Sequence, residues 1–341
     1  MTTSLILVSA AIAVVAMRAV WQSLTLSSES FRPVVLIWVL PFAFWSFGLR
    51  LVRWHTLLRR LAPALSVRTS GYTQLVGFAL AVTPGRIAEL YKLKLLEQTA
   101  RVPVAQSLPA IVVERITDLT AFGLLVLIGG TLDLSHVVAG NRALGWVILG
   151  IGVIIAAILI QQGQRSDAAA RITRGLIVRL RRWGGRWMSR LPGAQRIGGA
   201  IGELQTGGAR IGHPLTLALA LACVTIGRLG DGVILWEMAR VVGYPVSYPA
   251  ALLMIGSAGL VGGLSLAPGG MGTAEATLIG LIVAHGAPLG PAVVAAVATR
   301  LLIFWLWVVI GLAAFLLGPG KPIGDPRDAS IPESLLVKER S

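Results

Sequence analysis

Six stretches of this chain are apolar over nearly the length that a helix needs to cross a membrane, roughly 20 residues. They run over residues 4–20, 33–49, 107–130, 144–160, 215–238 and 291–317. Charged residues make up only 13% of the 341 positions, whereas a soluble domain carries about 25%. The pattern predicts an all-α polytopic membrane protein in which residues 1–318 form one integral-membrane domain.

Two similar strings interrupt shorter apolar stretches. They read Thr83-Pro84-Gly85-Arg86-Ile87-Ala88-Glu89 and Ala267-Pro268-Gly269-Gly270-Met271-Gly272-Thr273-Ala274-Glu275. A Pro-Gly break frees backbone groups that hydrocarbon cannot satisfy, so it survives only where the backbone is packed in protein or lines a cavity. A pair of breaks at matching positions in two halves points to a transporter binding site. We predict two re-entrant or broken helical elements, with arms at residues 71–82 and 87–96 and at residues 250–267 and 273–284.

The distribution of Lys and Arg predicts the orientation of these segments, because short loops rich in these residues stay in the cytoplasm. Such residues follow the second span and the first break, and they fill the loop before the fifth span. Both termini are then cytoplasmic. The first half (about residues 1–130) starts inside and the second (about 144–318) starts outside, so the eight apolar segments form an inverted repeat. The alternative is eight full spans, with both Pro-Gly segments crossing.

The loop at residues 162–213 holds ten arginines, with apolar residues between them at spacings of three and four. This pattern predicts a basic amphipathic helix in the cytoplasmic interface. Two interpretations of the arginine excess are open: it sets the membrane topology alone, or it also attracts the anionic headgroups of membrane lipids. Residues 319–341 contain four prolines and mixed charge, which is typical of a loosely ordered tail.

Charged side chains inside apolar segments are costly and usually functional. The candidate substrate-binding residues are Arg86, Glu89, Glu114, Arg115, Asp118, Arg228, Asp231, Gly269, Gly270, Gly272, Glu275 and Arg300. Arg115 and Arg300 fall at one place in both halves, which favours a functional role. The alternative is that the acids and bases neutralise one another and join helices. For Arg228 and Asp231, which form an i,i+3 pair, this alternative is as strong as a functional role. We interpret Arg50 and Arg53 as interface anchors that reach the surface.

The glycine-rich string before Thr273 precedes a predicted helix. Free N–H groups at a helix N-terminus suit a phosphate, and glycine allows close approach of a headgroup. The alternative is a plain tight turn. We expect no metal, no cofactor and no catalytic residue, because histidines with metal-ligand spacing and a nucleotide loop are both missing from the sequence. Nothing resembles a module that reads nucleic acid.

Four motifs, in this order, carry a resemblance to a known family. They are Thr83-Pro-Gly-Arg-Ile-Ala-Glu-Leu, Val113-Glu-Arg-Ile-Thr-Asp, Leu266-Ala-Pro-Gly-Gly-Met-Gly-Thr-Ala-Glu and Thr299-Arg. Across residues 36–317 the chain resembles the lysylphosphatidylglycerol synthase transmembrane family, also described as flippase-like domain proteins. The best-known members move aminoacylated phosphatidylglycerol between leaflets and carry a fused cytosolic synthase domain. This chain resembles a stand-alone member without that domain.

The resemblance implies a lipid translocase in the bacterial inner membrane. Its partners would be membrane lipids, with an anionic or aminoacylated phospholipid or a polyprenyl-phosphate-linked lipid as the substrate. One alternative is a membrane-embedded headgroup transferase that uses Glu114 or Asp118 as a base, although an enzyme is the less favoured reading. The other is a scaffold for a separately encoded lipid-modifying enzyme.

Overall fold

The computed structural model describes residues 34–82, 91–132, 203, 206–265 and 267–317. Every regular element in these ranges is helical. In chain order the elements are α1 (Val34–Leu61), α2 (Val67–Leu80), α3 (Tyr91–Ala100), α4 (Val104–Leu132), α5 (Pro214–Val241), α6 (Tyr248–Leu264), a 3₁₀ turn (Pro268–Gly270), α7 (Thr273–Ala284), α8 (Leu289–Arg300), a π-helical turn (Leu301–Trp305) and α9 (Leu306–Leu317). The all-α prediction is confirmed for this part of the chain.

Within these ranges, two helices are long and apolar enough to cross a membrane: Pro214–Val241 and the continuous helix Leu289–Leu317. Tyr248–Leu264 is apolar but shorter. Helices α1 and α4 have 28 and 29 residues, but charged residues interrupt their apolar sequence. The predicted segments at 4–20 and 144–160, the tail at 319–341 and most of the basic segment at 162–213 lie outside the described residues. The count of eight apolar segments therefore stays a prediction.

Helix α1 continues well past the end of the predicted span at residue 49 and reaches Leu61. Its second half buries Trp54, Leu57 and Leu58 completely. Arg50 and Arg53 lie on the same stretch and are only 5% and 1% exposed. The interpretation of these two arginines as surface anchors is wrong, because neighbouring helices supply carboxylates that bind them inside the protein.

Each predicted Pro-Gly element begins with a serine-capped helix. The Ser66 side chain accepts a hydrogen bond from the Thr69 N–H at the start of α2, and Ser247 accepts one from the Ala250 N–H at the start of α6. At about 1.5 Å per residue, the 14 residues of α2 and the 17 of α6 fall short of a hydrocarbon core about 30 Å thick. Both lengths agree with broken or re-entrant elements, which remain a prediction. The first Pro-Gly turn lies outside the described residues.

The helices of each predicted Pro-Gly element, α2 with α3 and α6 with α7, are here called the two hairpins, and each packs against a long helix elsewhere in the fold. Helix α6 lies along α4, α2 lies along α9, and α1 lies along α5. Glycines allow the first two contacts, because a Cβ at Gly129 of α4 would lie 2.5 Å from Pro249 O, and one at Gly311 of α9 would collide with Leu75 O. Small residues at such positions let membrane helices approach backbone to backbone. Helix α4 therefore holds the hairpin of α6 and α7, and α9 holds the hairpin of α2 and α3.

Candidate functional site

A cavity of about 480 Å³ lies between the two hairpins and the long helices. Its charged lining comes from α1, α3, α4, α5 and α8. The bases are Arg50, Arg53, Lys92, Arg115, Arg228 and Arg300, and the acids are Glu114 and Asp118. Gln74 and apolar or glycine residues of α2, α4, α6, α7, the second Pro-Gly turn and the π-helical turn complete the lining. Sequence segments that are far apart thus bring their charged residues to one place.

Most of these charges belong to one network, here called the charge cluster. Its members are Arg50, Arg53, Lys92, Glu114, Asp118, Arg228 and Asp231. It joins four helices, α1, α3, α4 and α5. A buried charge is strongly destabilising when alone, so a set of mutually paired charges holds the helices that carry it in one arrangement.

Glu114 of α4 stands at the centre of one side of the cluster and is only 2% exposed. Its Oε1 accepts hydrogen bonds from Arg53 Nη2 at 3.2 Å and from Gln74 Nε2 at 3.3 Å. Its Oε2 accepts one from Lys92 Nζ at 2.7 Å. Both carboxylate oxygens are therefore engaged by groups from α1, α2 and α3.

Asp118, one turn further along α4, links α1 to α5. Its Oδ1 accepts hydrogen bonds from Arg53 Nη1 at 2.9 Å and from Arg228 Nη2 at 3.4 Å. Arg115 Nη1 lies 3.8 Å from the other oxygen, Oδ2. Glu114 and Asp118 are four residues apart on one face of α4, and Arg53 is a partner of both.

Asp231 of α5 is fully buried behind the cavity. Its Oδ2 accepts hydrogen bonds from Arg50 Nη2 at 2.9 Å and from Arg228 Nη1 at 3.0 Å. The expected i,i+3 pair of Arg228 with Asp231 does form, but it is not self-contained. Each member also binds a residue of another helix, so the pair belongs to the cluster.

Four aromatic rings in this region carry protein cations on their faces, and Phe78 holds the most distant one, with Arg50 Cζ 5.8 Å from its ring centroid. Lys92 Nζ lies 4.1 Å from the ring centroid of Trp54, Arg228 Cζ lies 4.1 Å from that of Phe122, and Arg300 Cζ lies 4.6 Å from that of Phe304. Such contacts favour a fixed cation position. Each cation covers one face of its ring.

Arg300 forms a second, smaller arrangement, here called the Arg300 clasp, with Glu275 and Gly269. Arg300 Nε donates to Glu275 Oε1 at 2.8 Å, and its Nη2 donates to the carbonyl oxygen of Gly269 at 2.9 Å. The side chain thereby joins α8 to the second Pro-Gly turn and to α7. A π-helical turn follows Arg300 directly, and such turns are frequent at functional sites.

The second Pro-Gly turn has an unusual backbone. Gly269, Gly270 and Gly272 have φ angles of +58°, +70° and +77°, a region that disfavours residues with a Cβ. The Gly270 N–H donates to Ala267 O and the Met271 N–H donates to Pro268 O, both at 2.9 Å. The turn therefore uses these two amides internally and directs the Gly269 carbonyl to Arg300.

The cavity gathers seven of the twelve predicted site residues: Glu114, Arg115, Asp118, Arg228, Gly269, Gly270 and Arg300. Asp231 and Glu275 sit behind it, each bonded to a lining arginine. Gly272 caps the N-terminus of α7 and is not part of the lining. Arg86 and Glu89 lie outside the described residues.

Sequence reasoning missed Arg50, Arg53 and Lys92 as site residues. One available signal was the spacing in α1, where Arg50, Arg53 and Leu57 recur at three and four residues and so share a helical face with buried apolar residues. Lys92 gave a weaker signal, because a base near a Pro-Gly break is explained equally well as a residue that sets membrane topology and as a site residue.

Comparisons with known proteins give one informative match. No curated protein sequence matches the chain. The family model described as "Lysylphosphatidylglycerol synthase TM region" matches residues 1–311, which is nearly the whole chain. The chain therefore belongs to this family of lipid-related membrane proteins.

Proposed function

We propose that this protein is a lipid translocase that carries a phosphate-bearing headgroup through the cavity while the acyl chains stay in the bilayer. One observation carries the proposal. Among the described residues, the cavity and the groups paired with it hold six bases and four acids, which leaves two positive charges in excess. Uncompensated charge inside a membrane domain is costly, so such a site favours an anionic ligand.

The headgroup would lie between the charge cluster and the Arg300 clasp. The Arg115 side chain is 32% exposed, the largest exposed fraction among the bases that line the cavity. Arg300 lies at the second Pro-Gly turn. Both offer guanidinium donors, which suit phosphate oxygens. Because the turn amides of Gly270 and Met271 are used internally, we assign phosphate binding to arginine side chains rather than to those amides.

The packing of the two hairpins supports a mechanism for exposing the headgroup alternately to the two leaflets. The hairpin of each half lies on the last long helix of the other half, as α6 does on α4 and α2 on α9. An inverted repeat built in this way is typical of transporters in which one half rocks against the other. We propose such a repeat here, with both termini in the cytoplasm of a bacterial inner membrane.

The transferase alternative has less support. A base must present a free oxygen to its substrate, whereas both oxygens of Glu114 accept hydrogen bonds from protein groups. Asp118 keeps Oδ2 free of hydrogen bonds within the described residues, but its carboxylate forms ion pairs with three arginines. The scaffold alternative gives no reason for an excess of buried positive charge. Neither alternative is supported by a particular contact, so translocation stands as the proposed function.

A leaflet-accessibility assay tests this proposal. The purified protein is placed in liposomes with labelled phosphatidylglycerol or a labelled polyprenyl phosphate, and chemical quenching of the outer leaflet reports transfer. We expect Arg115→Ala and Arg300→Ala to lower the transfer rate by about tenfold or more, since a hydrogen bond to a charged group contributes about 1.5–3 kcal/mol.

Arg240→Ala is the matched control. Arg240 is a half-exposed base near the end of α5 that pairs with Glu237 away from the cavity. This variant should transfer lipid at the wild-type rate. Size-exclusion and thermal-unfolding measurements establish that all three variants are folded. Wild-type transfer in both cavity variants, or no transfer of either lipid by the wild-type protein, would overturn the proposal.

A further inference from the structure

The four acids in and behind the cavity differ in how many bases depend on each of them. Glu114 and Asp118 each form ion pairs with three bases, and Asp231 forms ion pairs with two. Glu275 pairs with Arg300 alone among the described residues. Neutralising one of the first three acids would deprive several bases of a partner at once, which is strongly unfavourable where those bases are buried. Neutralising Glu275 affects a single base.

The Glu275 carboxylate has one committed and one uncommitted oxygen. Its Oε1 accepts the hydrogen bond from Arg300 Nε at 2.8 Å, whereas its Oε2 is buried and makes no hydrogen bond within the described residues. Burial without a donor penalises the charged form of a carboxylate, and a proton on the free oxygen removes that charge. The Glu275 side chain as a whole is 20% exposed, so its carboxylate is not sealed inside the fold.

Arg300 is the one charged residue that faces Glu275 from the described helices packed on α7, which are α6 and α8. The single ionisable side chain of α6 is that of Tyr248, at the first residue of this helix, and its hydroxyl donates to Leu229 O. Helix α8 carries no ionisable residue besides Arg300, and the turn Pro268–Gly270 carries none. A change of charge at Glu275 therefore acts first on Arg300.

Arg300 also has donors left for a second anion. It lines the cavity, and its Nη1 makes no hydrogen bond within the described residues, while Nε and Nη2 bind Glu275 and the Gly269 carbonyl. A guanidinium group suits phosphate oxygens. A headgroup phosphate on Arg300 would lie close to the Glu275 carboxylate, and two like charges at one site disfavour each other. The headgroup phosphate and the charged Glu275 thus compete for the same guanidinium group.

From these observations we infer that Glu275 is a proton-binding site, and that a proton bound at its Oε2 travels together with the anionic headgroup. The inference rests on the proposed function, because it adds a coupled ion to the same cavity. In this step a proton from water forms an O–H bond at Oε2, and the carboxylate becomes a neutral carboxylic acid. Arg300 loses its ion pair and turns its full charge to the phosphate.

Thermodynamic linkage makes this coupling reciprocal. If a bound proton tightens the binding of the phosphate, the bound phosphate tightens the binding of the proton by the same factor. A phosphodiester headgroup carries a single negative charge, so one headgroup and one proton cross the membrane without net movement of charge. Transfer is then driven by a difference in pH between the two sides and not by a membrane potential.

A binding titration at two pH values tests the proton site separately from transport. Labelled phosphatidylglycerol is the probe, because its phosphodiester keeps its charge throughout the range. We expect its affinity for the detergent-purified protein to rise about tenfold from about pH 8 to about pH 5. The described lining contains no histidine, the residue that ordinarily titrates in this range. An affinity that does not change with pH overturns the inference.

Glu275→Gln identifies the residue that takes up the proton. Its amide cannot be protonated in this range, so the variant should bind phosphatidylglycerol tightly at both pH values. Glu237→Gln is the matched control, because Glu237 pairs with Arg240 away from the cavity and should keep the wild-type response. Thermal unfolding at both pH values establishes that the variants are folded. A full wild-type pH response in Glu275→Gln, or its loss in Glu237→Gln, contradicts the assignment to Glu275.

Liposomes with an imposed gradient test the coupling itself. We expect faster transfer of phosphatidylglycerol from the acidic to the alkaline side, no such acceleration in Glu275→Gln, and no response to a potassium diffusion potential of either sign. Transfer that follows the potential and ignores the pH gradient overturns the inference.

The inference and the proposed function fail in different ways. Binding that depends on pH through Glu275, without any transfer in liposomes, would contradict translocation and leave the proton site standing. Transfer that is equally fast at all pH values and gradients would support translocation and overturn the proton coupling.

Discussion

The charge cluster and the Arg300 clasp line the same cavity, but they differ in redundancy. In the cluster, Glu114, Asp118 and Asp231 each bind at least two bases. In the clasp, Glu275 binds one base, Arg300. The cluster joins four helices through several pairs, whereas the clasp joins α8 to α7 and to one glycine turn through one hydrogen bond each.

The difference indicates which part of the site is fixed and which can move. Moving α1 away from the cluster would leave the buried Arg50 and Arg53 without carboxylate partners, which is strongly unfavourable. Opening the clasp costs one ion pair and one hydrogen bond, at a turn whose glycines tolerate several backbone conformations. We therefore regard the cluster as the fixed side of the headgroup site and the clasp as the side that rearranges.

The largest effect is expected from breaking the cluster. Glu114→Ala leaves Arg53 without one partner and Lys92 without its carboxylate, both buried, and should destabilise the protein by about 3–5 kcal/mol. The measurement is the free energy of unfolding in mixed micelles. Glu237→Ala is the control; it removes the half-exposed pair with Arg240 and should cost about 0–1 kcal/mol. Equal stabilities of these two variants would refute the view of the cluster as a fixed frame.

An intermediate effect is expected at the turn of the clasp. Gly269→Ala combines a left-handed backbone with a Cβ only 2.6 Å from the Phe304 ring, so it should cost about 2–4 kcal/mol. Gly272→Ala is the matched comparison, because Gly272 also has a positive φ but has open space at its Cβ. Its cost should be about 1–2 kcal/mol, from the backbone alone. A larger loss for Gly272→Ala in thermal unfolding would contradict the packing described at Gly269.

The smallest effect on stability is expected from Glu275→Gln. The amide oxygen of glutamine still accepts a hydrogen bond from Arg300, so the loss should be no more than about 1 kcal/mol. The positive excess of the site rises by one, however, and binding of phosphatidylglycerol should tighten several-fold. The measurement is a binding titration beside the wild-type protein. Weaker binding in this variant would mean that Glu275 positions Arg300 rather than restraining it.

Several features of the fold were predictable from single segments. The helix after the second break begins at Thr273 and ends at Ala284, as expected, because a glycine-rich turn precedes it and apolar residues fill it. The bounds of α4 and α5 lie within a few residues of the predicted spans. Helix α1 was predicted too short, since hydropathy alone ends a span at the first arginines, whereas helices in contact with acids from other segments continue through them.

The site was only partly predictable for the same reason. Glu114, Arg115 and Asp118 stand out locally, as charges inside an apolar stretch. Their partners Arg53 and Lys92 do not, because each follows an apolar stretch at a position where positive residues usually mark topology. A pairing across 61 positions between Arg53 and Glu114 leaves no trace in either local sequence.

The sequence by itself determined that the described chain is helical, where the second glycine turn falls, and which charged residues lie inside apolar segments, because helix formation and hydropathy depend on nearby residues. Only the tertiary structure decided which charges meet. It placed Arg50, Arg53 and Lys92 inside the protein, joined α4 to α1 and α5 through Asp118, and turned Arg300 toward the Gly269 carbonyl. Ion pairing depends on distances between helices far apart in sequence, and those distances are set by how the helices pack.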